Sequence, residues 1–507
     1  MSSSTIPLES VAANQPSRVE GWFRRALWIV TTIVVIGILC HFGLMLWAQH
    51  EFSQPESIVA AQSMMLAHDG TLYYGLKTYP FTVNAYMPLF YLLDAALIKA
   101  GLPVFAAGRL ISFGALIGIF SLTWRMLWLY TSDRYCAWMG TLLCASTSLL
   151  LSWGTVAQVD TLALCLAMAG FYYYSRYTIL GENTLPLAAA FVIAAVFTKQ
   201  TMLACPTAIF FLLWFRNPKT AIKFGAATGG VALAAALIIN AALHGRFFSN
   251  TVFSNLNPFA AEKVWQHAQY IIRVTGPLAI VAIAGAKAAM RGRGKALYGY
   301  LALAAAVLAV TAPKIGSDSN YQLESTVLLI LCSCATLQSL NFFPLLFQGS
   351  KSRVTLLQLA LAVYLINNFR LTESFLATRL AREQLFRQEI TELQPYIATH
   401  GRVISTDIDA MVHLRGRIDI EPLIYTLLVH AGRIDPEPVR RDLAAGAIPT
   451  VVLYQDLRAP LDPDPELPTL PAVQLDEIRK HYILAAHIPG PYLDGVFVYK
   501  PSGAVER

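Results

Sequence analysis

Long apolar runs separated by short polar connections occupy the chain as far as about residue 370. A helix that crosses a membrane needs about 20 predominantly apolar residues. The apolar runs therefore predict about eleven transmembrane helices, some of them short. The predicted spans are residues 26–47, 105–129, 136–153, 159–177, 185–198, 202–215, 224–243, 271–290, 297–311, 323–340 and 354–368. The first run is too long for the core of a signal peptide and lacks a small-residue cleavage site, so we expect it to be retained.

Beyond residue 370 the apolar runs become short and lie within polar sequence. A charged, helix-like stretch at 372–396 precedes three runs of the kind found in strands, at 403–405, 451–454 and 496–499. Helices are predicted between them at 422–431 and 438–445. The segment 459–471 is rich in proline and acid, which predicts an exposed loop. Residues 370–507 are thus predicted to form a small α/β domain.

Composition supports this division into a membrane body and a polar tail. The chain is 56% apolar and only 14% charged, against about 25% charged for an ordinary soluble domain. Soluble secreted, fibrous and disordered proteins are therefore excluded. Residues up to 370 carry 24 Lys and Arg against 12 Asp and Glu, whereas the rest carry 14 against 19. All seven cysteines lie in the body, within apolar runs, where we interpret them as small apolar side chains.

The basic residues predict an orientation through the positive-inside rule. Alternate connections between the predicted spans are basic throughout. The basic residues of these connections are Arg18, Arg24, Arg25, Arg125, Arg134, Arg176, Arg216, Lys219, Lys223, Arg291, Arg293, Lys295, Lys351 and Arg353. We therefore predict a cytoplasmic segment 1–25, a transmembrane body 26–369 in the cell (inner) membrane, and an extracytoplasmic domain 370–507.

The first outer segment, residues 48–104, contains a short predicted helix that begins at Ser53 or Gln54 and ends at Gly70. It is too short to span a bilayer, so we expect it to lie along the membrane surface. The tyrosines of this segment are of the kind found at a membrane interface. These tyrosines are Tyr73, Tyr74, Tyr79, Tyr86 and Tyr91. Asp94 and Lys99 are expected to be solvated on a surface helix.

Several charged residues fall at the outer ends of spans in this orientation. Burying a charge at the bilayer centre costs about 2.5–3.5 kcal/mol, so charges near span ends usually face an aqueous cavity. Glu56, Asp160, Lys199 and Glu324 are therefore predicted to line one outward cavity. For Arg109 and Asp160, snorkelling to the interface or capping a helix is an equally good interpretation.

Other functional classes receive little support from the sequence. There is no phosphate-binding or dinucleotide-binding glycine pattern, no basic pattern that indicates nucleic-acid binding, and no cluster with metal-ligand spacing. No cofactor is predicted with certainty, and a divalent metal is not excluded. His41 is expected to be a hydrogen-bonded core histidine. Asp407 and Asp409 are expected to lie in a solvated turn, with sugar or metal contact as the alternative.

These motifs resemble those of membrane glycosyltransferases with the C-type fold, in particular glycosyltransferase family 39. That family includes protein O-mannosyltransferases and the aminoarabinose transferases of lipid A. The resemblance rests on an acid in the first helix of a long outer segment and on three short motifs. The motifs are Tyr-Met-Pro-Leu-Phe at 86–90, Val-Asp-Thr-Leu-Ala-Leu at 159–164 and Phe-Thr-Lys-Gln-Thr at 197–201. A further loop at 316–324 resembles the family's Gly-Ser-x-x-Asn-Tyr-x-x-Glu pattern.

The resemblance implies a donor sugar linked to polyprenyl phosphate and an inverting transfer to an acceptor on the extracytoplasmic face. Glu56 matches the general base, with Glu51 as its rival because proline stands where many family members have aspartate. The donor phosphate would be bound first by Lys199, then by Lys77 or Arg109, with Lys314 a further cation. The residues matched to sugar or acceptor binding are Asp160, which also could pair with a cation, Gln200, Tyr86, Ser317, Asp318, Asn320, Tyr321 and Glu324.

Two other functions compete with sugar transfer. A transporter or flippase of lipid-linked glycans would show repeated halves and charges near the middle of the membrane, and neither is evident. The second is that of a catalytically inactive homologue that serves as a membrane-anchored subunit. In each case the predicted partners are a polyprenyl-phosphate-linked sugar and membrane lipids, with an unknown acceptor.

Overall fold

Helices account for most of the chain in the computed structural model, which describes residues 18–255, 257–340, 353–460, 469–492 and 494–504. Residues 1–17 of the predicted cytoplasmic segment and residues 461–468 of the predicted proline-rich loop lie outside the described part. Helices α1 to α9 are Arg18–Trp47, Gln54–Asp69, Pro88–Lys99, Val104–Thr131, Arg134–Ala145, Ser148–Trp153, Val159–Leu180, Leu185–Thr198 and Ala204–Trp214. Helices α10 to α17 are Pro218–Ala242, Arg246–Thr251, Ala261–Tyr270, Gly276–Ala284, Ala286–Arg291, Lys295–Thr311, Leu323–Ser339 and Arg353–Leu393.

Within the described residues, four helical segments are long and apolar enough to cross a membrane by length and composition. They are Trp28–Trp47, Val104–Thr131, Pro218–Ala242 and Ala261–Ala284, and α8, α9 and α15 are shorter apolar helices. In Ala261–Ala284, a π-helical turn at Ile271–Thr275 joins α12 to α13. The prediction of about eleven spans is therefore supported as a polytopic helical architecture, while the number eleven stays a prediction.

Several predicted spans differ from the observed helices. The predicted span 136–153 is divided into α5 and α6, because the chain leaves the helix at Ser146 and Thr147. The predicted span 354–368 and the charged stretch 372–396 form one helix, α17, of 41 residues. No glycine or proline interrupts this sequence, so the helix continues where the apolar pattern ends.

The helix of the first outer segment, α2, begins after Ser53 and ends at Gly70, whose φ of 68° closes the helix in the left-handed conformation that glycine adopts readily. Its residues from Val59 to Met65 are almost completely buried. Other elements of the protein therefore cover α2, and its expected position along the membrane surface stays a prediction. Tyr73 and Tyr91 are likewise buried rather than placed at an interface.

The C-terminal part contains a four-stranded mixed sheet in the order β1-β2-β4-β3. The strands are β1 (Val403–Ser405), β2 (Thr450–Leu453), β3 (Tyr482–Ile488) and β4 (Val496–Pro501), and the helices are α18 (Ile408–Arg415), α19 (Pro422–His430), α20 (Glu437–Ala444) and α21 (Ala472–His481). β1 and β2 are parallel, and β2–β4 and β4–β3 are antiparallel. The three predicted strands are confirmed, and β3 was not predicted.

The first outer segment packs directly against this sheet. Phe81 forms an isolated parallel bridge with Ile420, in which its N–H donates to Asp419 and its carbonyl accepts from the N–H of Glu421. Met64 and Met65 of α2 belong to a core cluster with residues of β1, β2 and β4. The division into a body 26–369 and a separate domain 370–507 stays a prediction. The apolar core itself is shared across that boundary.

Candidate functional site

A buried ion pair joins two helices of the body. Asp160 lies in the first turn of α7, and Lys199 is the residue that ends α8. The Lys199 ammonium donates to Asp160 Oδ1, and both side chains are almost fully buried. The ammonium also lies 4.3 Å from the ring centroid of Tyr321 and 6.0 Å from that of Tyr86. The ion pair and the two aromatic faces together hold a positive charge at this depth.

The polar residues of the 316–324 loop and Gln200, all expected at the site, differ in their contacts. The Glu324 carboxylate accepts a 2.5 Å hydrogen bond from the Tyr300 hydroxyl. Gln200 donates to the carbonyl oxygens of Ala85 and Thr251. Asn320 is buried, whereas Asp318 is exposed and caps the turn that follows it. The Lys199–Asp160 pair therefore has Tyr86 and Tyr321 beside it, whereas Asp318 lies at the surface.

A cavity of about 140 Å³ lies beside this cluster. Tyr86 and Tyr321 form part of its wall, and α19 from the C-terminal part closes it on the opposite side. The polar residues that line it are Gln62, Tyr86, Tyr91, Thr201, Asn255, Asn257, Thr311, Lys314, Tyr321 and Glu421. Lys314 forms no ion pair with a carboxylate of the described residues. Its ammonium is therefore available to an anion in the cavity.

Glu56 is held by four hydrogen bonds. Its Oε1 accepts from Arg109 Nε and from the N–H of Ala157, both at 2.8 Å. Its Oε2 accepts from a terminal nitrogen of Arg109 at 2.9 Å and from the N–H of Phe52 at 2.7 Å. Neither side chain of the pair is exposed. These four donors fix the Glu56 carboxylate in place and occupy both of its oxygens.

The N–H groups of Arg109 are likewise occupied by hydrogen bonds. Besides Glu56 it donates to the carbonyl oxygens of Met45, Ala48 and His50. These bonds use all five N–H groups of the guanidinium. The geometry therefore does not support the expected binding of a donor phosphate by Arg109. It favours a structural role, in which Arg109 ties the end of α1 to the start of α2.

Glu51 has a different environment. Its N–H donates to Asp409 Oδ1, and its Oε2 has no hydrogen-bond partner among the described residues. Burial and the nearby charge of Asp409 raise the pKa of Glu51 well above its usual range. Glu51 lies at the junction with the C-terminal sheet rather than in the wall of the cavity described above.

Two further expectations about exposed charges are wrong. Asp94 is fully buried instead of solvated, and burial raises its pKa to about 7. Asp407 and Asp409 are also buried and do not lie in a solvated turn, because α18 begins there and packs on α2. Lys77 is exposed and forms no ion pair within the described chain. His41 is buried and hydrogen-bonds Thr155 at 3.0 Å, as expected.

The sequence did not predict the residues that line the cavity from the C-terminal part of the chain. Glu421 is fully buried, caps α19 by accepting from the N–H groups of Leu423 and Ile424, and lines the cavity. Burial raises its pKa to about 7. An acid directly before proline at a helix start is a capping signal. The signal identifies the cap but carries no information about the cavity.

Solved structures with the same fold come from two kinds of protein, ArnT and an oligosaccharyltransferase. ArnT from Cupriavidus metallidurans bound to undecaprenyl phosphate matches with a TM-score of 0.61 and 12% identity, over 94% of this chain and 98% of that one. The oligosaccharyltransferase of Archaeoglobus fulgidus, tethered to an acceptor peptide, matches with a TM-score of 0.53 and 10% identity, over 95% of this chain and 75% of that one. The sequence matches no protein-family model and no curated protein.

Proposed function

Because the chain has the C-type fold of membrane glycosyltransferases, we propose that it transfers a sugar from a polyprenyl-phosphate-linked donor to an acceptor. The observation that carries the proposal is the match to ArnT bound to undecaprenyl phosphate, which extends over nearly the full length of both chains. The transferred group would be a hexosyl or pentosyl unit. The acceptor would be a lipid, a polysaccharide or a protein on the extracytoplasmic face.

Lys199 and Lys314 are the cations that suit the donor phosphate. Lys314 lines the cavity without a carboxylate partner among the described residues, and Lys199 lies behind the aromatic wall formed by Tyr86 and Tyr321. Asp160 keeps Lys199 ionised and aligned. A polyprenyl tail in the bilayer would hold its phosphate at headgroup depth, close to these outer helix ends. Aromatic walls of this kind also suit the apolar face of a sugar ring.

Transfer would invert the anomeric carbon, because the acceptor oxygen displaces the phosphate from the opposite side in one step. The general base must be a carboxylate within hydrogen-bond reach of the acceptor hydroxyl. Glu56 has its oxygens occupied by Arg109, Phe52 and Ala157, so we assign it a positioning role. We take two other carboxylates as candidates for the base. Glu51 is the rival in the first outer segment, and Glu421 lines the cavity.

The base assignment can be tested with Glu51→Gln and Glu421→Gln in the full-length protein, reconstituted in liposomes with polyprenyl-phosphate-linked sugars. Replacing the base should lower kcat while the KM for the donor stays unchanged. The other variant should retain turnover and so serve as the control. Wild-type turnover in both variants would exclude both carboxylates as the base.

The overall proposal is tested by mass spectrometry of glycolipids, envelope polymers and envelope proteins from cells with and without the protein. A transferase forms a new glycosidic bond, so one glycosylated product should disappear with the protein. A transporter or flippase would alter only the side of the membrane on which a glycan is found. An inactive homologue would bind undecaprenyl phosphate without forming any product.

We also propose that the protein lies in the cell (inner) membrane with its N-terminus in the cytoplasm. Three basic residues from separate predicted inner connections, Arg125, Arg176 and Arg293, line one pocket in the structure. Asp160 and Lys199 lie at the opposite ends of α7 and α8, the two helices joined by the connection that follows Arg176. Basic residues at one end of these helices, with Asp160 and Lys199 at the other end, fit the positive-inside rule.

A further inference from the structure

The junction between the first outer segment and the C-terminal sheet brings together three side chains that are distant in sequence. His50 Nδ1 lies 2.9 Å from Asp409 Oδ2, and His413 Nε2 lies 3.7 Å from Asp409 Oδ1. One ligand-type atom from each residue lies within 4.8 Å of the other two. Ligands bound to one Zn²⁺ at about 2.0–2.2 Å are separated from one another by about 3–4 Å. The three atoms are therefore close to the spacing of a zinc site.

The orientation of these residues is fixed by surrounding contacts. The His50 ring stacks on Phe386, with centroids 5.3 Å apart and an interplanar angle of 5°. The His50 carbonyl accepts from Arg109 and from Arg379. Asp409 Oδ1 accepts from the N–H of Glu51 at 2.9 Å. Such supporting hydrogen bonds orient metal ligands in proteins.

His413 is placed by helix geometry. It follows Asp409 by four residues on α18, so the two side chains lie on the same face of that helix. Its side chain lines the same cavity as Gln49, the residue before His50.

The charges around these residues favour a cation. Glu51 and Glu389 are almost completely buried near Asp409, and one oxygen of each lacks a hydrogen-bond partner among the described residues. Arg379, a cation of this region, is itself paired with Glu383 at 3.3 Å. Buried carboxylates in excess of buried cations are costly unless a positive charge compensates them.

A cavity of about 270 Å³ gives access to the cluster. It is lined by Ala48, Gln49, Phe105 and His413 among others, and the His413 side chain is 26% exposed. Three protein ligands with one open side leave room for water as a fourth ligand, an arrangement that zinc commonly adopts.

We propose that His50, Asp409 and His413 bind one zinc ion that joins the first outer segment to α18. Two imidazole nitrogens and one carboxylate oxygen suit Zn²⁺, whereas Ca²⁺ and Mg²⁺ prefer oxygen ligands alone. The ion would stabilise the junction on which the position of α2 depends. The inference goes beyond sugar transfer and does not depend on it.

The test uses the full-length protein in detergent, depleted of metal with a chelator and then titrated with Co²⁺, which replaces Zn²⁺ and absorbs visible light. The wild type should develop the bands of tetrahedral Co²⁺ with saturation at an equimolar ratio. His50→Ala and His413→Ala should lose these bands. His400→Ala, which removes an exposed histidine of the same region, is the matched control and should keep them.

Absence of the bands in the wild type, or their persistence in both ligand variants, would overturn the proposal. X-ray absorption of the zinc-loaded wild type provides a test that does not depend on the folding of variants. Two imidazoles and no sulfur in the zinc shell support the site. Sulfur ligation would instead assign the metal to the cysteines of the body, and would contradict the proposal.

Discussion

At the scale of single residues, two ion pairs, Glu56–Arg109 and Lys199–Asp160, are buried in the body. Removing one partner from such a pair is far more costly than removing both, because the remaining charge stays buried without compensation. Loss of function in a single variant of either pair therefore has two sources, chemistry and folding. The variants have to be chosen so that the two sources are separated.

Glu56→Gln should reduce stability as well as any activity. The neutral amide leaves Arg109 buried without its counter-charge, which costs about 3–5 kcal/mol. We expect a clearly lower thermal unfolding midpoint in detergent, measured by circular dichroism. Glu392→Gln, at an exposed position of α17, should leave the midpoint unchanged. An unchanged midpoint in Glu56→Gln would return Glu56 to consideration as a freely acting base.

Lys199→Met combined with Asp160→Leu should separate stability from donor binding. The single change Lys199→Met leaves the Asp160 carboxylate buried without its counter-charge and should lower the free energy of unfolding by about 3–5 kcal/mol. The double variant should regain most of this loss. Binding of undecaprenyl phosphate, measured by fluorescence or calorimetry, should stay weak in both. If the double variant recovers wild-type affinity, Lys199 has no part in the donor site.

Asp94 should make stability fall as pH rises towards 8. Its pKa is about 7 in the folded protein and about 3.9 in the unfolded chain. Between these values the folded state holds a proton that the unfolded state has lost, so raising the pH favours unfolding. Asp94→Asn should therefore flatten the fall of the unfolding midpoint between about pH 5 and pH 8. Asp69→Asn, an exposed control, should leave the slope as it is in the wild type.

At the scale of elements, α4 depends on a close approach to the chain just before α7. A Cβ atom at Gly108 would lie 2.5 Å from the Cβ and 3.2 Å from the Cα of Ala157. Neither atom can move away without shifting backbone. The same backbone segment supplies the Ala157 N–H to Glu56. The glycine therefore sets the spacing of α4, α7 and the Glu56–Arg109 pair together.

Gly108→Ala should lower the thermal unfolding midpoint markedly because of this contact. Gly114 lies on the same helix, and a Cβ atom added there would have no neighbouring atom within 4 Å among the described residues. Gly114→Ala should therefore be neutral or should stabilise by up to about 1 kcal/mol through helix propensity. Equal midpoints for the two variants would show that α4 can move away from Ala157 at little cost.

The helices were the part of the fold that sequence could predict best. The pattern at 185–198 coincides with α8, and 323–340 differs from α16 by one residue, because apolar composition alone decides these segments. The break at Ser146 and Thr147 and the continuous α17 were missed, since both depend on packing rather than on composition. β3 was missed because its residues alternate between buried and exposed without a strongly apolar run.

At the scale of the whole molecule, the positions of Asp160 and Lys199 at span ends on one side predicted their grouping. Tyr86 and Tyr321 were expected beside them only through the family resemblance. The sequence could not predict the pairing of Glu56 with Arg109 or the meeting of His50 with Asp409, 359 residues further along. The second contact is decided by how the C-terminal part docks. No local spacing encodes that docking.

The orientation of the whole chain predicts the behaviour of reporter fusions. A reporter that is active only outside the cytoplasm, fused after Arg507, should be active. The same reporter fused within the basic connection that follows α4 should be inactive, because that connection is predicted to be cytoplasmic. Activity in the opposite pattern would overturn the orientation and with it the proposed side of transfer.

The apolar core shared by α2 and the C-terminal sheet has a consequence for biogenesis. Met64 and Met65 leave the ribosome more than 300 residues before the strands against which they pack, so this core cannot form while the chain is still being made. Until translocation of the C-terminal part is complete, α2 presents unpaired apolar surface that a chaperone or protease can recognise. Truncation after α17 should therefore yield a chain that inserts into the membrane and is then degraded.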